Sequence, residues 1–145
     1  MNMNAGSQSA ALLDRMTTQL RHAGLRPTRQ RVDLGRILFA QGHRHISAED
    51  LHAEAEGAGV RVSLATVYNT LHQFTEAGLL REIAIDGSRT YFDTNVEDHH
   101  HFFVEGEGRL IDLVGDITID QLPCAPEGME ITAVEVVIRV RRRRD

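Results

Sequence analysis

At Gly78 the spacing of apolar residues changes, and that change constrains the fold more than any other feature of the chain. Before it, Leu64, Val67, Leu71 and Phe74 recur every three or four residues on one face of a predicted helix that Ser63 caps, with Thr66, Asn69, Thr70 and Gln73 on the other. After it, Leu80 to Ile85 and Arg89 to Asp93 read as strands joined by an Asp86-Gly87 turn. Three more helices are predicted upstream. One runs through Leu12, Leu13, Met16 and Leu20 and ends at Gly24; the next is capped by Thr28 and carries Val32, Ile37, Leu38 and Phe39. A third starts at Ser47, with Asp50 in the capping-box position and Leu51, Ala55 and Ala58 on one face. Helices followed by a hairpin are the element order of a winged helix-turn-helix, although small interaction domains are also built this way.

The 145 residues suffice for one ordinary domain or two small ones, and 41% apolar with 26% charged is globular composition. The apolar runs Ile37 to Ala40 and Phe102 to Val104 are far shorter than the roughly 18 residues of a membrane span. Met1 to Ser9 carry no basic cluster followed by an apolar stretch, so no secretory signal is expected and the location is expected to be cytoplasmic, with no membrane partner. A single cysteine, Cys124, forbids an internal disulfide and any zinc site built from cysteine pairs. The net charge of −5 conceals an asymmetry. All sixteen cations are arginines, and Leu20 to His45 holds six of them (Arg21, Arg26, Arg29, Arg31, Arg36, Arg44) against Asp33 alone. Residues 96–145 carry six arginines against eleven acids. Arginine forks suit phosphate, so the basic stretch fits nucleic acid, though a solvated helix face produces the same run.

Beyond Asn95 the strands predicted are Phe102 to Val104, Leu110 to Leu113 and Glu130 to Val140, with Glu105-Gly106-Glu107-Gly108 as a turn and Pro123 and Pro126 interrupting the rest. So little core is marginal alone, and a second copy is the natural way to bury the apolar faces. The expected organisation is a DNA-binding domain over residues 1–95 and a dimerisation and sensing domain over 96–145, with Arg141 to Arg144 a frayed solubilising tail.

His99-His100-His101 is the most specific chemical feature. On a strand, His99 and His101 point to one face and His100 to the other, so two imidazoles can share a cation. A polar strand end is the plain alternative. With carboxylates at Asp93, Asp98 and Asp112 and another imidazole at His45, the donor set suits Fe(II), Mn(II) or Zn(II) and is poor for Cu(I). His22, His43, His52 and His72 read as surface or packing residues, with His43 close enough in sequence to serve as a spare ligand.

The runs Gly24-Leu25-Arg26-Pro27-Thr28-Arg29-Gln30-Arg31, His45 to Leu51 and Ser63 to Leu71, followed by Tyr91-Phe92-Asp93 and the triplet, resemble the ferric uptake regulator (Fur) family. Within it the chain is most similar to the iron response regulators, Irr, of alpha-proteobacteria, which share the His-His-His-aromatic-aromatic strand and lack cysteine pairs. The resemblance implies an α+β fold: an N-terminal winged helix-turn-helix domain and a small α/β dimerisation domain. It implies a regulatory metal at His45, Asp93, His99, His101 and Asp112, haem as signal at His99, His100 and His101, a haem-delivering enzyme as partner, and a homodimer repressing from A·T-rich palindromic operators. Tyr68, Ser63, Thr66 and Asn69 are implied as base readers, Asn69 standing where many relatives carry arginine. Arg26 and Arg31 are implied on phosphate or minor groove, and Arg61 and Arg89 on the flanking backbone. Val104 and Glu107 occupy positions of paired cysteines, so no structural zinc held by four cysteines is expected. Asp98 and His100 are left for a weaker second ligand. The rival readings are a peroxide-sensing or a manganese- or zinc-responsive repressor of the same family and, remotely, a non-haem metalloenzyme; no general acid or base stands out, and the expectation is no enzyme.

Overall fold

A computed structural model describes the backbone of residues 3–86 and 89–144 and the side chains of these except 3–5, 8, 9, 12 and 86. The expected Asp86-Gly87 turn and the side chain of Leu12 therefore lie outside the described residues. The elements are α1 (Met3–His22), α2 (Arg29–Phe39), β1 (His45–Ile46), α3 (Ala48–Gly57), α4 (Leu64–Glu76), β2 (Arg81–Asp86), β3 (Arg89–Asp93), β4 (His101–Val104), β5 (Arg109–Asp112) and β6 (Val137–Val140). Helices and sheets together give the α+β class. The chain divides into two units, Met1–Val96 and Glu97–Asp145.

In the first unit, three helices start at the side chains that the sequence offers as caps. Thr28, Ser47 and Ser63 sit in extended backbone and accept from the N–H of Arg31, Asp50 and Thr66, at 3.3, 3.2 and 3.1 Å, each satisfying a donor the helix cannot. Helix α4 stops where Gly78 turns left-handed at φ +80, with Leu79 N–H donating to Phe74 O and Gly78 N–H to Thr75 O. That pair of hydrogen bonds is the Schellman arrangement, and its left-handed backbone at Gly78 favours a residue without Cβ.

The core gathers Met16 and Leu20 of α1, Leu34 and Leu38 of α2, Leu51 and Ala55 of α3, and Val67, Leu71 and Phe74 of α4, closed by Ile46 and Phe92. Each large side chain contributes about 1.5–3 kcal/mol through burial. At Gly35 an added Cβ would stand 2.5 Å from Met16 Sδ, so α1 and α2 meet where α2 has no side chain. Three expected core residues lie on the surface: Leu13 (38% exposed), Leu64 (37%) and Ala58. Thr70, expected outside, is buried, because its hydroxyl donates 2.8 Å back to Thr66 O and needs no water. The two-residue β1 was not expected; it pairs antiparallel with β3 in a sheet of order β1-β3-β2.

The second unit is a sheet of order β5-β4-β6, with β4 antiparallel to β5 and parallel to β6. The parallel pair requires a long crossover, supplied by residues 113–136, which form no helix or strand. Two expectations are corrected here. The strand expected over Glu130 to Val140 is confined to Val137–Val140, and the small domain expected to be α/β has no helix among the described residues. Pro123, Pro126 and the left-handed Gly115 (φ +108) and Gly128 (φ +77) break any helical run in the crossover. Likewise only His101 of the triplet lies in a strand.

Candidate metal centre and nucleic-acid surface

In the first unit, the β1–β3 register places His45 opposite Asp93, and His45 Nε2 comes to 3.1 Å from Asp93 Oδ2. Asp93 is 1% exposed, and its Oδ1 accepts the Asn95 N–H at 2.9 Å. A carboxylate buried to this degree costs several kcal/mol unless charge and hydrogen bonds compensate it. The strand that carries His45 is fixed from both sides. Arg44 N–H donates to Thr94 Oγ1 at 2.8 Å, and the Arg44 guanidinium donates to both Glu54 oxygens on α3, at 3.0 and 2.8 Å.

In the second unit, β4–β5 pairing sets His101 opposite Asp112. His99 Nε2 lies 3.2 Å and His101 Nε2 3.5 Å from the same oxygen, Asp112 Oδ1, and the two rings are 4.4 Å apart. The ligand atoms of these three residues all lie within 4.8 Å of one another. His99 Nδ1 is 2.6 Å from the carbonyl of Glu97. A carbonyl only accepts, so Nδ1 carries the proton, and a neutral His99 turns the lone pair of Nε2 toward a carboxylate oxygen. Two lone pairs at that separation repel unless a proton or a cation stands between them. A histidine whose rear nitrogen bonds a backbone carbonyl is also the usual form of a metal ligand. His100 is held differently: its Nδ1 accepts the Val136 N–H at 3.0 Å, tying the end of the crossover to β4. Asp98 is exposed, and among the described residues neither it nor His100 joins a group of three or more possible ligands.

The predicted DNA-facing residues lie on the first unit. Between α2 and α4 runs an open groove of about 490 Å³, lined by Arg26, Thr28, Gln30, Arg31, Thr66, Asn69, Thr70 and Gln73. None of these is an acid. The Arg31 guanidinium is oriented by three bonds, Nε and Nη2 donating to Gln73 Oε1 at 3.3 and 3.1 Å and Nη1 to Arg26 O at 2.9 Å. Asn69, Ser63, Arg61 and Arg89 are exposed, and Ser63 Oγ and Thr66 Oγ1 share a hydrogen bond of 2.9 Å. Arg89 on β3 hydrogen-bonds Tyr91 and is drawn to Asp50 and Glu49, which holds its guanidinium above the ordinary value.

Tyr68 donates its hydroxyl to Glu49 Oε1 on α3 at 2.6 Å. That bond pulls the Glu49 carboxyl below the usual carboxylate range and pushes the Tyr68 phenol up. Glu49 and Gln73 were not expected as partners of the predicted DNA-facing residues Tyr68 and Arg31. Gln73 was detectable, sharing a face with Thr66 and Asn69 at offsets of seven and four. The Glu49–Tyr68 contact joins two helices and leaves no sequence signal. Cys124 is an exposed loop thiol, and among the described residues no helix is long and apolar enough to cross a membrane.

A family model described as the ferric uptake regulator family matches residues 22–139. The ferric uptake regulation protein of Pseudomonas aeruginosa is 35% identical over 130 residues, covering 88% of this chain and 97% of that protein. The peroxide-responsive repressor PerR of Staphylococcus aureus is 32% identical over 100 residues, 69% of this chain and 67% of that protein. Among solved structures, the ferric uptake regulator of Pseudomonas aeruginosa with manganese superposes with a TM-score of 0.67 at 29% identity, covering 89% of this chain and 98% of that one.

Proposed function

The chain belongs to the ferric uptake regulator family of metal-responsive transcription regulators, and from that premise we propose that it is an iron-responsive repressor working in the cytoplasm as a homodimer on A·T-rich palindromic operators. Residues 1–95 act as a winged helix-turn-helix: α3 braces α4, α4 enters the major groove with Ser63, Thr66, Tyr68 and Asn69, and β2–β3 is the wing. The acid-free groove carrying Arg26 and Arg31 supports this placement. Residues 96–145 act as the dimerising half.

One divalent cation is shared by His45 and Asp93 from the first unit and His99, His101 and Asp112 from the second. The observation that carries this is the His99 ring, proton fixed at the back by Glu97 O and lone pair aimed at Asp112. Two ligands on one unit and three on the other are each too few to close a coordination shell, and only five residues separate Asp93 from His99. That connection spans at most about 20 Å even when fully extended. A bound cation would supply the positive charge that lets two carboxylates and three imidazoles converge. Its occupancy would set the spacing of two recognition helices against half-sites a whole number of turns apart, about 34 Å each.

Within the family we place the chain nearest the Irr regulators, on the run His99-His100-His101-Phe102-Phe103 and the lack of cysteine pairs. On that reading iron is the signal and haem its form at His99, His100 and His101, handed over by a haem-delivering enzyme. The convergence of His99 and His101 on one oxygen suits a small cation better than a flat porphyrin. Titration of a labelled A·T-rich palindrome therefore includes Mn(II), Fe(II), haem and chelator. Metal is expected to tighten binding, chelator to reverse it and haem to release the metal-loaded protein. Indifference to all four would overturn the sensor. The PerR likeness favours a second reading, peroxide sensing through the same ligands. Mass spectrometry after peroxide decides it: added oxygen on His45 or the triplet, without haem, supports that reading.

A further inference from the structure

After Asn95 the chain carries six arginines, and five of them fall between Arg139 and Arg144, in a unit that holds eleven acids. Two of the five are fastened to the sheet. Arg139 stacks over the Phe103 ring at 5.4 Å. Arg142 donates from Nε and Nη2 to the two Glu107 oxygens, at 3.1 and 3.0 Å, in the β4–β5 turn. Glu105 N–H also donates to Val140 O at 2.8 Å. The run expected as a frayed solubilising tail has no regular structure and is exposed, and it is tied to the sheet at Val140 and Arg142. The other three, Arg141, Arg143 and Arg144, are exposed and make no hydrogen bond, ion pair or ring contact among the described residues. The tetrad by itself lines an open cleft of about 460 Å³.

Among the described residues, a unit with acids to spare pairs one member of this tetrad, Arg142, and leaves strong positive charge ready for an anion from outside. Duplex DNA offers a dense row of anions, one negative charge per roughly 3.4 Å along each strand, and guanidinium pairs with phosphate through a fork of parallel bonds. An anionic membrane surface has the charge too, but stable anchoring there also needs apolar side chains, and the run Arg141 to Arg144 itself holds none.

We propose that Arg141, Arg143 and Arg144 form a second, sequence-independent contact with DNA phosphates, separate from the groove between α2 and α4, with the Arg142–Glu107 pair as its anchor. This rests on the DNA-binding reading above. It assigns the tetrad to affinity and the α4 residues to discrimination.

The test uses the full chain, an A·T-rich palindrome and a random-sequence duplex of equal length, each across a salt series. Replacing the three residues together by alanine (R141A/R143A/R144A) keeps the anchor intact. The slope of log affinity against log salt should fall by about two to three per bound chain, at about 0.9 per phosphate contact. Affinity for random duplex at low salt should fall at least tenfold, while the operator-to-random ratio stays within about twofold. The matching triple lysine variant keeps the charge and should restore most of the slope, which a purely structural role would not predict. Wild-type slope and affinity in the alanine variant would overturn the inference while leaving the DNA-binding reading intact. So would binding to phosphatidylserine vesicles that the alanine variant loses while its DNA slope stays unchanged. If the unaltered protein binds neither duplex, both readings fail.

Discussion

The two units spend their apolar residues differently. Among the described residues, the first unit buries sixteen hydrophobic side chains, Phe74 and Phe92 among them, whereas the second buries Val104 and Leu110. That unit instead exposes Ile111, Val114, Ile119, Leu122, Met129, Ile131, Val134 and Ile138. The first unit has a core of its own; the second is a thin sheet whose apolar surface suits a second copy. The same division separates their chemistry: the first unit carries an arginine groove free of acids, and the second converges two imidazoles on a carboxylate. On the proposed division of roles, a DNA reader needs a rigid platform, while a dimerising sensor can draw part of its stability from what it binds.

The largest expected effect tests this contrast directly. Phe74→Ala should cost about 3–5 kcal/mol in chemical denaturation, while Val114→Ala, at a side chain 96% exposed, should stay within about 0.5 kcal/mol. Equal losses would break the comparison. Next, Ile111→Asp on the exposed face of β5 should raise the dimer dissociation constant at least a hundredfold, about 2.7 kcal/mol, by sedimentation, with unchanged circular dichroism. A dimer indifferent to that charge would place self-association elsewhere. On the reading side, Tyr68→Ala should cost about 1–3 kcal/mol at the cognate operator, whereas Arg31→Ala should weaken all sequences alike and flatten the salt slope by about one. The smallest effect concerns the Tyr68–Glu49 bond. Because the Glu49 carboxyl is held low, its contribution is present above the ordinary carboxylate range and is lost as pH falls through the lower folded value. Both groups meet solvent, so Tyr68→Phe should cost under about 0.5 kcal/mol and should bring Glu49 back up toward its ordinary value in an NMR titration.

The first unit was largely legible because its signals are local. Thr28, Ser47 and Ser63 cap the helices they precede in sequence, and Gly78 marks a turn that only backbone freedom allows. What escaped was tertiary: Leu64 lies on the right stripe but faces solvent, and β1 is two residues long and is defined by its partner β3. The second unit was legible as strands and turns, yet the end of Glu130 to Val140 pairs only with β4 and the rest stays irregular, since strand propensity without a neighbour forms no ladder. At the site, the expected pairing of His99 and His101 is met by their convergence on one Asp112 oxygen, not by strand alternation, since His99 lies outside β4. The hydrogen bonds that fix their roles, Glu97 O on His99 and Val136 N–H on His100, come from backbone that no residue pattern encodes.

The central claim is that His45 with Asp93 and His99 with His101 and Asp112 serve one cation. Calorimetric titration with Mn(II) tests it on the intact protein and on His45→Ala and Asp112→Asn. The account predicts one high-affinity ion per chain, weakened at least about a hundredfold by either substitution, although the two residues stand on different units. Two ions per chain, or an Asp112→Asn protein that binds as tightly as before through the other half, would contradict it.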